Sequence, residues 1–133
     1  MSNIDTVKEI YEAFGRGDIP AILEKLDENV EWDTDYDAHS AAAPWLEPRR
    51  GRENVAGFFE ALAQLSFTKF EPHTFGADGN KVVTVVDIEL DSKGKHYVIP
   101  NEGHLWVFND QGKVTRYQHL TDTALHWRVA NGQ

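Results

Sequence analysis

Asp33, His104 and His119 are the side chains in this sequence best suited to moving a proton. Imidazole ordinarily titrates near neutral pH, so it can work as a neutral donor or as a cation. A buried aspartate can shuttle a proton next to a carbonyl, if its pocket brings its pKa toward the working pH. His104 shares one face of an alternating run with Trp106 and Phe108. If Asn109 to Gly112 form a four-residue loop, His104 pairs with Tyr117 on the next strand, and His104, Trp106, Tyr117 and His119 share one face. A three-residue loop would pair His104 with Gln118 and split the cluster. Asp33 closes the run Val30-Glu31-Trp32-Asp33. Strict alternation sends Val30 and Trp32 one way and Glu31 and Asp33 the other, so Asp33 turns inward only if the strand ends or bulges there. With Asp35 and Asp37 nearby, it could equally belong to a solvated acidic set, and His104 could equally be a core histidine held by a neighbour.

Tyr11, Trp32, Trp45, Trp106 and Tyr117 would supply aromatic walls suited to a flat, partly apolar ligand, or else ordinary core packing. Arg49, Arg50 and Arg52 form a small basic patch that could meet a ligand carboxylate or simply face water. The histidines, His39, His73, His96, His104, His119 and His126, show no tight ligand spacing, and there is no HExxH and no cysteine. No metal is expected. Without a glycine-rich phosphate loop or a serine in a nucleophile elbow, no cofactor is expected either.

These residues need elements to position them. Ile4, Val7, Ile10, Tyr11 and Phe14 make a helical stripe, capped by Ser2 or Asn3 and stopped by Gly15 and Gly17. Asp18 and Pro20 open a second helix with Ile19, Ile22, Leu23 and Leu26, ended by Asp27 to Asn29. Val30 to Asp33 reads as a short strand. Thr34 to Gly51 is irregular, as functional loops or lids often are. A third helix spans Arg52 to Leu65. Four strands follow, at Phe67–Phe75, Lys81–Asp91, His96–Phe108 and Lys113–Thr123, with Pro100 at an edge or bulge. A short tail ends the chain. The sum is one α+β domain over residues 1–133, with helices on one face of a curved sheet. Apolar residues on both faces of Val82–Leu90 suggest a homodimer through the outer face.

At 133 residues and 41% hydrophobic content the chain can bury a core of its own. A net charge of −9 argues against nucleic acid and anionic membranes as partners. The sequence shows neither a signal peptide nor a spanning run, so the expected location is cytoplasmic.

The ordered set Tyr11-Glu12-Ala13-Phe14, Gly17-Asp18, Val30-Glu31-Trp32, Gly51-Arg52-Glu53-Asn54-Val55, Phe58-Phe59, Phe108 to Val114 and Asp122-Thr123-Ala124 resembles the SnoaL-like and ketosteroid-isomerase-like proteins of the nuclear transport factor two superfamily. The resemblance covers nearly the whole chain. It implies a cone-shaped half barrel, a dimer, and a pocket for a small molecule between sheet and helices. Asp33 falls near the isomerases' general base, and His104 at the position of their protonated acid. His119 stands where the cyclases carry an acid–base aspartate. The isomerases' first-helix tyrosine corresponds to Ile10, and Tyr11 lies about 100° further around the helix. The isomerase's hydrogen-bonded pair is therefore not expected. The implied function is cofactor-free acid–base chemistry of the isomerase, cyclase, dehydratase or hydrolase type, on a small, partly apolar carbonyl compound or epoxide. The alternative is a non-catalytic ligand-binding or dimerisation module.

Overall fold

The computed structural model describes residues 1–37 and 42–133; His39 lies outside the described residues. Helix α1 (Asn3–Gly15) starts at Ser2, whose hydroxyl accepts from the Asp5 N–H while the Asp5 carboxylate accepts from the Ser2 N–H. This reciprocal box satisfies donors that a helix start leaves open. Its stripe buries Val7 and Ile10, with Ile4, Tyr11 and Phe14 packed against the core. Helix α2 (Ile19–Leu23) is capped by Asp18, as the sequence suggests.

The first strand is a correction. Strand β1 runs Leu26–Trp32, so Asp27 to Asn29 belong to it and do not end a helix. Pairing decides this: Leu26 and Trp32 lie beside Val114 and Tyr117 of a distant strand. Within the irregular stretch, Pro44–Leu46 form a short 3-10 turn that buries Trp45 and Leu46, and β2 (Arg49–Arg50) pairs with β1. Helix α3 (Arg52–Leu62) is shorter than expected.

Strands β3 (Ser66–Asp78), β4 (Lys81–Ser92), β5 (Lys95–Phe108) and β6 (Val114–Leu120) form an antiparallel meander. The sheet order is β2-β1-β6-β5-β4-β3, with β1 parallel to β6. Val82, Thr84, Val86, Ile88 and Leu90 of β4 face the helices and are buried, while Val83 on the other face is 42% exposed. The sheet stays open, giving the cone-shaped α+β half barrel. A fourth helix, α4 (Thr123–Asn131), replaces the expected tail. Asp122 caps it, and Gly132 ends it with φ of 67° in the left-handed region. Those signals are legible in the sequence.

The register between β5 and β6 sets the site. His104 pairs with His119 and Trp106 with Tyr117, so the expected His104–Tyr117 pairing is corrected by two residues. Asn109 and Lys113 close the turn through Asn109 N–H to the Lys113 carbonyl, leaving Asp110 to Gly112 as a three-residue loop. That loop alone would set His104 opposite Gln118. A register shift opposite Val107 and Phe108, at Thr115, inserts one residue and restores the parity. All four residues of the expected cluster thus reach one face. Deleting Thr115 is expected to abolish cooperative unfolding. Thr115→Ala loses only the hydroxyl bond to the Val107 carbonyl and should cost about 1 kcal/mol. Calorimetry of the two variants checks this.

Candidate active site

The end of β1 brings the first functional side chain inside. Asp33 has φ of 56°, a left-handed conformation that aspartate tolerates better than most residues. The strand ends there, its N–H donates to the Tyr117 carbonyl at 2.9 Å, and a turn to Tyr36 follows. The side chain swings beneath β6 and is 0% exposed. One carboxylate oxygen accepts the His119 backbone N–H at 2.7 Å, and the other lies 2.7 Å from His119 Nδ1. The Tyr36 hydroxyl donates to the His119 carbonyl at 2.7 Å. His119 is therefore fixed in both backbone and ring.

The second unit centres on Glu102, which the sequence reading missed. At Pro100 and Asn101, β5 bulges against β4, with Asn101 at φ 54° and its N–H bonded to Asp87. The bulge changes the inward set from Tyr97 and Ile99 to Glu102, His104, Trp106 and Phe108. Glu102, 3% exposed, lies 2.9 Å from His104 Nε2 and 2.7 Å from His126 Nε2, and accepts from the Thr121 hydroxyl at 2.9 Å. Trp45 donates its indole N–H to His126 Nδ1 at 2.8 Å. Indole only donates, so Nδ1 is an acceptor and Nε2 carries the proton given to Glu102. On the other side of His104, Nδ1 meets the Tyr11 hydroxyl at 2.7 Å, with Thr84 behind it at 2.5 Å. Tyr11, one residue beyond the position of the isomerases' tyrosine, thus brings its hydroxyl to His104.

Burial disfavours the imidazolium of both central histidines, but their partners differ. For His104 burial wins over the nearby Glu102 and lowers the pKa. For His119 the charge and hydrogen bond of Asp33 outweigh burial and raise it. Burial opposes ionisation of Glu102, yet bonds from His104 and His126 hold its pKa well below the usual range. Burial also lifts the Tyr117 phenol far above its ordinary value.

These groups line one end of a cavity of ≈ 70 Å³. Tyr11, Trp32, Trp45, Trp106, Tyr117, His104 and His119 all border it, together with Glu102 and His126. Asp33 does not; it acts on the cavity through His119. Trp32 stacks on Tyr117 with ring centroids 4.1 Å apart. Half-buried Phe14, Phe59, Leu62, Phe67 and Phe70 form the opposite, apolar end. Arg49 and Arg50 stand away from the cavity, beside Thr34, Tyr36 and Asn54, with Arg50 paired to Glu31. Asp122 serves as the α4 cap. The histidines lack metal spacing along the chain, but strand pairing gathers Glu102, His104 and His119, whose ligand atoms lie within 4.8 Å of one another. Glu102-x-His104 on one strand face was the available signal.

A model of the SnoaL-like domain family matches residues 7–117. Comparison with curated proteins finds no match. Among solved structures, an NTF2-like protein of unknown function from Burkholderia pseudomallei is 25% identical with a TM-score of 0.83, covering 98% of each chain. TerC, co-crystallised with polyporic acid, is 22% identical with a TM-score of 0.80, over 97% of this chain and 98% of its own. A candidate polyketide cyclase from Pseudomonas putida is 22% identical with a TM-score of 0.71, over 98% of each chain.

The raised His119 pKa has a pH signature. Its stabilising contribution is full below the unfolded imidazole value and is lost as pH rises through the higher folded value. The Glu102 contribution runs oppositely, being full above the unfolded carboxyl value and lost as pH falls through the depressed folded one. Asp33→Asn is therefore expected to flatten the alkaline loss while leaving the acid limb. Urea unfolding across pH, for both proteins, checks this.

Proposed function

We propose a function from one premise: the chain belongs to the SnoaL-like family. It binds a small molecule and carries out acid–base chemistry without a cofactor, on a small, partly apolar carbonyl compound or epoxide. One observation carries this reading: at the polar end of an aromatic cavity, His119 is held through Nδ1 by buried Asp33. Its other ring nitrogen has no hydrogen-bond partner among the described residues. When Asp33 accepts a hydrogen bond from Nδ1–H of the neutral ring, the remaining nitrogen is a base facing the ligand. Roles follow from reach. Both Asp33 oxygens are committed to His119, so Asp33 is better read as orienting than as taking the substrate proton itself. His104, backed by Glu102 and Tyr11, would donate to the oxygen on which charge develops. Tyr11, Trp32, Trp106 and Tyr117, packed on one another, would wall the ligand on one side, and Trp45 would act through His126.

The cavity volume bounds the ligand. At ≈ 70 Å³ it is far below the roughly 300–1,000 Å³ of drug-sized sites. A compound of a few heavy atoms fits, and a larger one requires the half-buried phenylalanines to move. The same tightness favours the second reading, a binding or dimerisation module whose aromatic side chains fill the pocket themselves.

Exchange of α-protons of small ketones in heavy water, followed by NMR, tests the first reading. Catalysed exchange by wild type, falling about 10²–10⁴-fold in His119→Ala, supports it. Ketone binding without exchange contradicts it and favours the binding module.

Pairing through the outer sheet face is part of the same proposal. Val83 and Val98 are 42% and 54% exposed there, and Leu120 is 49% exposed. Val83→Lys with Val98→Lys is expected to turn a dimer into a monomer in analytical ultracentrifugation. We place the protein in the cytoplasm; no described helix is long and apolar enough to cross a membrane.

A further inference from the structure

We propose that Glu102, His104 and His119 form a binding site for one divalent transition-metal ion. The inference goes beyond the acid–base reading and does not rest on it: proton exchange by chelator-treated protein tests that reading, and metal titration tests this one.

Chemistry of the donors comes first. Two imidazoles and one carboxylate form a set suited to zinc, iron, cobalt or nickel. Their ligand atoms lie within 4.8 Å of one another, and His104 Nε2 and Glu102 Oε2 are 2.9 Å apart. Neighbouring ligands around an ion with bonds near 2.1 Å sit about 3 Å apart, so this spacing suits an ion as well as a shared proton.

Each donor is also held from behind. His119 Nδ1 faces Asp33, which leaves its other nitrogen for the ion. His104 Nδ1 faces the Tyr11 hydroxyl, backed by Thr84. The second Glu102 oxygen takes bonds from His126 and Thr121, and Trp45 fixes the His126 tautomer. Metal-binding histidines nearly always give their other ring N–H to a carboxylate, carbonyl or comparable acceptor, and ligating carboxylates are themselves hydrogen-bonded.

Charge supplies an independent reason. Asp33 and Glu102 are two buried carboxylates whose only ion-pair partners among the described residues are imidazoles. Among the described residues no lysine or arginine forms an ion pair with either, although Arg49 lies close enough to feel the Asp33 charge. A divalent cation would balance both charges. Cavity space beside the three residues can admit water or a small ligand to complete the coordination.

Titration of Co²⁺ into chelator-treated protein tests the site. The expected result is one ion per chain, visible absorption bands and a rise in melting temperature. Glu102→Gln and His119→Ala are expected to weaken binding at least about 100-fold, and Asp33→Asn about 10–100-fold. His96→Ala, which dismantles the exposed cluster of His96 with Asp91 and Glu89, should leave binding unchanged. Should a pocket variant fail to fold, ¹⁵N shifts of wild-type imidazoles on adding Zn²⁺ decide: movement at both His104 and His119 supports the site, and none there overturns it. Absence of stoichiometric Co²⁺ binding, its survival in both pocket variants, or its loss in His96→Ala also overturns it.

Discussion

Two hydrogen bonds that Asp33 accepts from a single residue hold the polar end of this pocket. The carboxylate takes the backbone N–H and the ring of His119 together. That joins the end of β1 to β6 and stops the imidazole from turning. The arrangement requires a residue that accepts a left-handed backbone, an acceptor with two oxygens, and complete burial. Aspartate alone meets all three here: asparagine has one acceptor oxygen, and glutamate is longer. Removing the carboxylate would strand two buried donors, at about 1–3 kcal/mol each.

Around that anchor the pocket is divided. One end is a connected polar network through Glu102, His104, His126, Trp45, Thr121, Tyr11 and Thr84. The other is a wall of phenylalanine and leucine. Buried polar groups are costly unless satisfied, and here almost every one has a partner. The Trp32 indole nitrogen is an exception, buried without one in the interior of the half barrel. A network satisfied this fully fixes ring tautomers before any ligand arrives, which is the kind of preorganisation that proton transfer needs.

Much of this was legible from residue order. Capping at Ser2 and Asp18, the helical stripes, the meander and the inward face of β4 follow from local rules. The condition attached to Asp33, that it turns inward only where the strand ends, is the one the structure meets. What escaped depended on parity. The bulge at Thr115 cancels the turn's odd count, and the bulge at Pro100 and Asn101 selects which β5 residues face inward; both follow from pairing between strands. Glu102 stayed hidden because a charged residue in an alternating run looks solvent-facing until its partners are known. His126 was hidden by reading α4 as a tail, although Asp122, Leu125, Val129 and Gly132 carry helix signals. Tyr11 shows the limit of carrying a position over: it stands one residue beyond the matched position, yet its hydroxyl reaches His104.

The central claim is that Asp33, and Glu102 together with Trp45, set the proton positions on the pocket histidines. Nitrogen-15 spectra of histidine-labelled, metal-free protein, recorded above the His119 transition, read those positions directly. The account predicts a neutral His119 protonated at Nδ1, toward Asp33, and a neutral His126 protonated at Nε2, toward Glu102. A His119 protonated at the cavity-facing nitrogen, or a His126 protonated at Nδ1, would contradict it.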